Sequence, residues 1–125
     1  ESTDFKCDGG ENIGKLTKAE LLELYNNSDF GMVGSLTNIS LVPYEMLATG
    51  LPIFEFKEGT FNYFFPKGSA LVTSFDYNEF YEMFKNAINN PNLLKEINKV
   101  SKEYLNTLSW QNTGKECVEI LKNLK

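Results

Sequence analysis

The residues of this chain best placed for chemistry are Thr37-Asn38-Ile39-Ser40-Leu41 and, four positions on, Glu45. Ser40 is a good helix N-cap, because its side-chain oxygen can accept one of the orphan amides of a first turn. Pro43 falls where a missing N–H costs no intrahelical bond. Free amides at such a helix start, backed by the positive end of the helix dipole, suit a diphosphate. Glu45 then lies a little over one turn into the helix. Its carboxylate can accept two hydroxyl hydrogen bonds, which is what a ribose diol offers. A plainer reading stands beside each: a capping loop for 37–41, and for Glu45 an acid favourably placed near a helix start. The sequence contains no histidine, so imidazole acid–base chemistry and imidazole metal ligation are excluded. Its acids are scattered and no Asp-x-Asp occurs, so neither a metal nor a cofactor is implied.

The elements that must position these residues follow from local signals. An apolar strand, Phe30–Gly34, ends at Ser35, and its glycines suggest close backbone approach. The loop and the helix follow, Gly50 and Pro52 stop that helix, and Ile53–Phe56 begins a new strand. A ligand is expected just beyond the carboxyl end of the first strand, at the helix N-terminus. Upstream, Asp4–Cys7 reads as a short strand, and Asn12–Leu16 as another strand end. Thr17 opens a helix with Glu20 completing a capping box, and Leu21, Leu22, Leu24 and Tyr25 form its apolar side.

Downstream, 57–69 reads as loop, with aromatic residues at Phe61, Tyr63, Phe64 and Phe65 that suit either half-buried core or an interface. Lys57 and Lys67 carry positive charge there, although nothing in their spacing requires a phosphate. Ala70–Thr73 is the last expected strand. Asp76 caps a helix whose core stripe is Phe80, Met83, Phe84, Ala87 and Ile88. Asn90-Pro91 starts another, running to about Thr107 with Leu93, Leu94, Ile97, Val100, Tyr104 and Leu105 inward. Ser109-Trp110 opens a final helix with Cys117, Ile120, Leu121 and Leu124 at helical spacing. Strands alternating with helices predict an α/β domain: a Rossmann-like, mainly parallel sheet with helices on both faces.

With 125 residues, the chain is expected to form a single domain, and it is long enough to bury a core without staples. The net charge of −5 gives a nucleic-acid partner little support, and Lys95, Lys99 and Lys102 read as one solvated helix face. No apolar run approaches the roughly 20 residues that a transmembrane helix needs. The start of the sequence carries no signal-type apolar core, which favours a cytoplasmic protein. Cys7 and Cys117 are far apart, so a zinc site is not suggested; two reduced, partly buried thiols are the plain reading, and the sequence leaves a disulfide open.

The stretch Glu45-Met46-Leu47-Ala48-Thr49-Gly50-Leu51-Pro52 resembles the retaining, nucleotide-sugar-dependent glycosyltransferases of the GT-B group called family 4. Those enzymes usually carry two glutamates, spaced as Thr37 and Glu45 are here, before a small-residue helix and a Gly-Leu-Pro turn. The first glutamate is replaced by Thr37, and the usual Gly-Phe-Gly by Asn38-Ile39-Ser40. The Thr-Asn-x-Ser wording is similar to a subgroup containing bacterial rhamnosyltransferases of surface-polysaccharide assembly. Matching features run from about Gly14 to the C-terminus.

The resemblance implies that 1–125 is a nucleotide-sugar-binding C-terminal lobe, a fragment of a longer enzyme lacking its N-terminal lobe. It implies a nucleoside-diphosphate sugar as donor and a growing glycan as acceptor, at the inner face of the membrane through the rest of the enzyme. By resemblance, the amides of Asn38, Ile39, Ser40 and Leu41 face the donor phosphates and sugar, and Glu45 takes the ribose. Thr37 touches the donor sugar, where its methyl could pack against that of a 6-deoxy sugar such as rhamnose; loss of activity is an equal consequence of the change. Leu16 matches a region that holds the nucleobase through backbone groups, or is simply a strand end. Two rivals are weighed. One is a degenerate, non-catalytic lobe used for assembly. The other is a receiver-like or flavodoxin-like domain, for which Asp4 and Asp8 form no suitable acid cluster.

Overall fold

The structure is a computed structural model that describes residues 8–124. Asp4–Cys7, expected as a strand, lies outside the described residues. The elements run α1 (Lys18–Asn26), β1 (Gly31–Met32), α2 (Val42–Ala48), β2 (Ile53–Phe56), α3 (Phe61–Phe64), β3 (Leu71–Thr73), α4 (Tyr77–Ile88), α5 (Pro91–Thr107) and α6 (Trp110–Asn123). Among the described residues this is an α/β chain of six helices and one three-stranded sheet, in the order β1-β2-β3. Both pairings are parallel, with Gly31 opposite Ile53 and Phe54 opposite Leu71.

Side chains alternate across a strand, so the neighbours Ile53 and Phe54 point to opposite faces of the sheet. Each seeds its own core. Ile53 packs with Leu47, Phe61, Phe65 and Ala70, to which Tyr104 and Leu105 of α5 add. Phe54 packs with Leu71, Ala87 and Ile97, joined by Phe30, Phe80 and Met83. Full burial of each of these large side chains contributes about 1.5–3 kcal/mol. Helix α5 spans 17 residues, roughly 25 Å at 1.5 Å per residue, so its two ends serve the two cores. Between them, Ser101 is buried with its hydroxyl 2.7 Å from both Ser69 O and Ile97 O, and donates to one of them at a time.

The glycines at two positions have clear causes. A Cβ on Gly31 would stand 2.6 Å from Met46 Sδ and 3.1 Å from Ile53 Cγ2, which is the close approach expected of that strand. Gly50 takes φ +85. Its amide and that of Leu51 donate to Leu47 O at 3.0 Å and Met46 O at 3.2 Å, closing α2 in a Schellman turn.

Several boundaries differ from the sequence reading. Asn12–Leu16 forms no strand. Asn12 Oδ1 accepts the Gly14 amide at 3.0 Å and Gly14 has φ +68, so a local side-chain turn replaces a sheet ladder. Strand β1 is shorter than Phe30–Gly34, although pairing continues through the Val33 amide to Phe54 O at 3.0 Å. The 57–69 loop contains α3, whose Phe61 is buried and stacks on Phe65 at 4.3 Å. Phe61 and Phe65 are therefore core, while Tyr63 and Phe64 are exposed. In α4, Ile88 is exposed instead of completing the stripe. Helix α6 has its Ser109 cap as expected, but Ile120, Leu121 and Leu124 are exposed and Cys117 is an exposed free thiol. Nothing among the described residues buries that face. None of the helices described is long and apolar enough to cross a membrane.

Candidate functional site

Helix α2 starts one residue later than its sequence suggests. Its N-cap is Leu41, which offers no side-chain oxygen. Ser40 Oγ instead accepts the Val42 amide at 3.3 Å, a hydroxyl turn reaching two residues on that competes with a true cap. Thr37, Asn38, Ser40 and Leu41 are exposed, and the amides of 37–41 donate to no acceptor among the described residues. Thr37 Oγ1 donates to Asn38 Oδ1 at 3.3 Å. Ile39 behaves differently: its side chain packs against the core around Leu47 and Ile53, so only its backbone faces outward chemistry. With seven residues, α2 is a short dipole, and amide contacts count for more here than the helix field.

Glu45 stands in the first turn of α2, its amide donating to Leu41 O at 3.0 Å. It is exposed. It also borders an open cavity of about 400 Å³ between α1 and α2, whose walls include Lys18, Leu21, Tyr25, Ala48 and Thr49. Burial, and then the charge of Glu45, push the Tyr25 phenol above its ordinary pKa. Leu16 is half-buried and lies outside the walls of that cavity, as do Thr37 to Leu41. The expected residues thus fall into two places: the exposed loop, and Glu45 on the edge of the α1–α2 groove.

Sequence reasoning missed a buried carboxyl bonded to the start of the loop. Glu55, on β2, is fully buried. Its Oε1 accepts Ser35 Oγ–H at 2.7 Å and its Oε2 accepts the Ser35 amide at 3.2 Å. The Phe56 amide lies 3.4 Å from the same Oε2. Ser35 O in turn accepts both the amide and, at 3.0 Å, the hydroxyl of Thr60. A Cβ on Gly59 would collide with Ser35 O, so the loop after β2 presses directly on the loop after β1. The signal for Glu55 was its place inside the apolar run Ile53-Phe54-Glu55-Phe56, on the Ile53 face of a central strand.

The lysines are turned elsewhere. Lys57 Nζ pairs with Glu79 Oε2 at 3.0 Å on α4, with both side chains about half exposed. The Ser74 hydroxyl and then Lys57 hold the Glu79 carboxyl below its usual range, and the Glu79 hydrogen bond raises Lys57. Lys67 is exposed. Among the described residues no group of three or more His, Cys, Asp or Glu is placed to hold a metal ion.

Comparison of this chain with protein-family models, with curated proteins and with solved structures finds no match.

Proposed function

We propose that this chain is the donor-binding part of the C-terminal lobe of a retaining GT-B glycosyltransferase. The observation that carries the reading is the exposed Glu45 in the first turn of α2, the helix that follows a loop of undonated amides beyond the carboxyl end of β1. In this reading the donor is a nucleoside-diphosphate sugar. Glu45 accepts the ribose hydroxyls, the amides of Asn38 to Leu41 take the diphosphate, and Thr37 meets the sugar, for which rhamnose fits a methyl-bearing contact. The intact enzyme passes the sugar to a growing glycan. Leaving-group charge is stabilised by N–H donors with no protein nucleophile. A cleft between lobes completes the site, so the chain alone binds weakly and turns nothing over.

Glu45→Ala tests this. Its side chain is exposed, so the fold is retained while nucleotide affinity falls about tenfold, the worth of a lost charge-assisted pair. An unchanged dissociation constant removes Glu45 from the site.

A second reading has its own observation. Thr37 supplies no negative charge, its hydroxyl is spent on Asn38, and α2 lacks a side-chain cap. These features suit a degenerate lobe that serves as an assembly module. Nucleotide binding separates the two readings.

A further inference from the structure

We propose that Glu55 is the positioning residue of the β1–α2 loop, fixing from beneath the backbone that carries the outward amides of 37–41. This rests on the donor-site reading for what the loop binds, but not for how the loop is held.

The geometry is that of a clamp on one residue. Ser35 is buried, and each of its polar groups is taken: the amide and hydroxyl by Glu55, the carbonyl by Thr60. The Glu55 carboxyl can do this because β2 is the middle strand, with β1 on one side and β3 on the other. A side chain one pleat beyond Ile53 lies on the same face, at the carboxyl edge where the β1–α2 loop departs. The Glu55 side chain spans this gap with two oxygens, one for each Ser35 donor. Leu36 then turns sharply, its amide donating to Gly34 O at 3.0 Å, and the loop meets its next anchor at Ile39 in the core. Ser35 and Ile39 therefore hold the exposed segment from two points. The Thr60 contact adds the loop after β2, making the two loops one unit.

The test compares Glu55→Leu, Glu55→Gln and Ser35→Ala with the parent chain. Two readouts serve: amide hydrogen exchange at each residue, and titration with a nucleoside diphosphate. In Glu55→Leu, the bonded amides of Ser35, Leu36 and Thr60 exchange about tenfold to a hundredfold faster, while those of α4 and α5 hold. Glu55→Gln, which keeps an oxygen toward the Ser35 amide, restores most of the protection. Where Glu55→Leu does not fold, Ser35→Ala is decisive: it leaves Glu55 Oε1 without its donor and must speed exchange of the bonded amides at positions 35, 36 and 60. Unchanged exchange at positions 35, 36 and 60 in Ser35→Ala and in folded Glu55→Leu overturns the proposal. So does a uniform rise over the whole chain, which marks general destabilisation. In a parent chain that binds nucleotide, the loop variants lose affinity and Glu55→Gln recovers it; retained affinity in a loosened loop also overturns positioning. A parent chain that binds none removes the donor-site reading, and the exchange data decide Glu55 alone.

Discussion

Glu55 and Ser35, 20 positions apart in sequence, meet in the interior as a two-point contact: hydroxyl to Oε1 at 2.7 Å and amide to Oε2 at 3.2 Å. The contact ties the end of β1 to the middle of the sheet without a ladder bond. It also places a fully buried polar side chain on the Ile53 face of β2, where a lost partner is costly.

Ser35→Ala is therefore expected to lower unfolding stability by about 1–3 kcal/mol, since it strands one oxygen of a buried carboxyl group. Urea denaturation reads this as a lower midpoint at unchanged slope. A loss below about 0.5 kcal/mol would mean that the hydroxyl contact carries little.

Two glycines should respond in opposite senses to alanine. At Gly59 the new methyl meets Ser35 O and stands 3.3 Å from Phe56 O, both backbone atoms that cannot swing aside. A cost of about 1–3 kcal/mol follows. At Gly114, inside α6, nothing lies within 4 Å, so alanine gains helix propensity worth up to about 1 kcal/mol. Because nothing described packs on α6, that gain should register as higher far-ultraviolet ellipticity at 222 nm. Equal effects at the two sites would contradict the packing described at Gly59.

Thr17 holds the Glu20 carboxyl low, and acid sensitivity is also expected at Glu79. Its carboxyl is held low first by Ser74 and then by Lys57. A depressed carboxyl contributes stability above its unfolded value, about 4.3, and loses it as the pH falls through the folded value. Lys57 has the opposite sign: its contribution is present below the unfolded lysine value and lost as the pH rises through its raised folded value. Both side chains are about half exposed, so the effect on stability is small and is better read by carboxyl NMR titration. Ser74→Ala and Lys57→Met should each raise the Glu79 midpoint. A parent midpoint in the ordinary glutamate range would contradict the contacts.

What was legible in the sequence was local. Thr17 with Glu20, Asp76, Asn90 before Pro91, and Ser109 all cap helices where expected, because a cap is decided within a few residues. Ser40 was displaced by one residue because its hydroxyl found the Val42 amide first. Asn12 escaped for the same reason, its side chain turning the chain at Gly14. The Glu55–Ser35 contact depends on strand pairing, which no local pattern encodes. In α6 the periodicity named the residues sharing a face, but periodicity cannot say whether anything covers that face. Of the candidate site, the sequence named Thr37 to Leu41 and Glu45; the packing of half-buried Ile39 against the core and the place of Glu45 on the edge of the α1–α2 groove depend on tertiary contacts that no local pattern encodes.

The most direct measurement is an amide-resolved NMR titration of the chain with dTDP, UDP, GDP and ADP, which detects binding even at about millimolar dissociation constants. A donor site predicts shifts centred on Asn38 to Leu41 and around Glu45, strongest for one base and diminished in Glu45→Ala. A folded sample whose loop amides stay fixed with all four nucleotides would contradict donor binding by this chain.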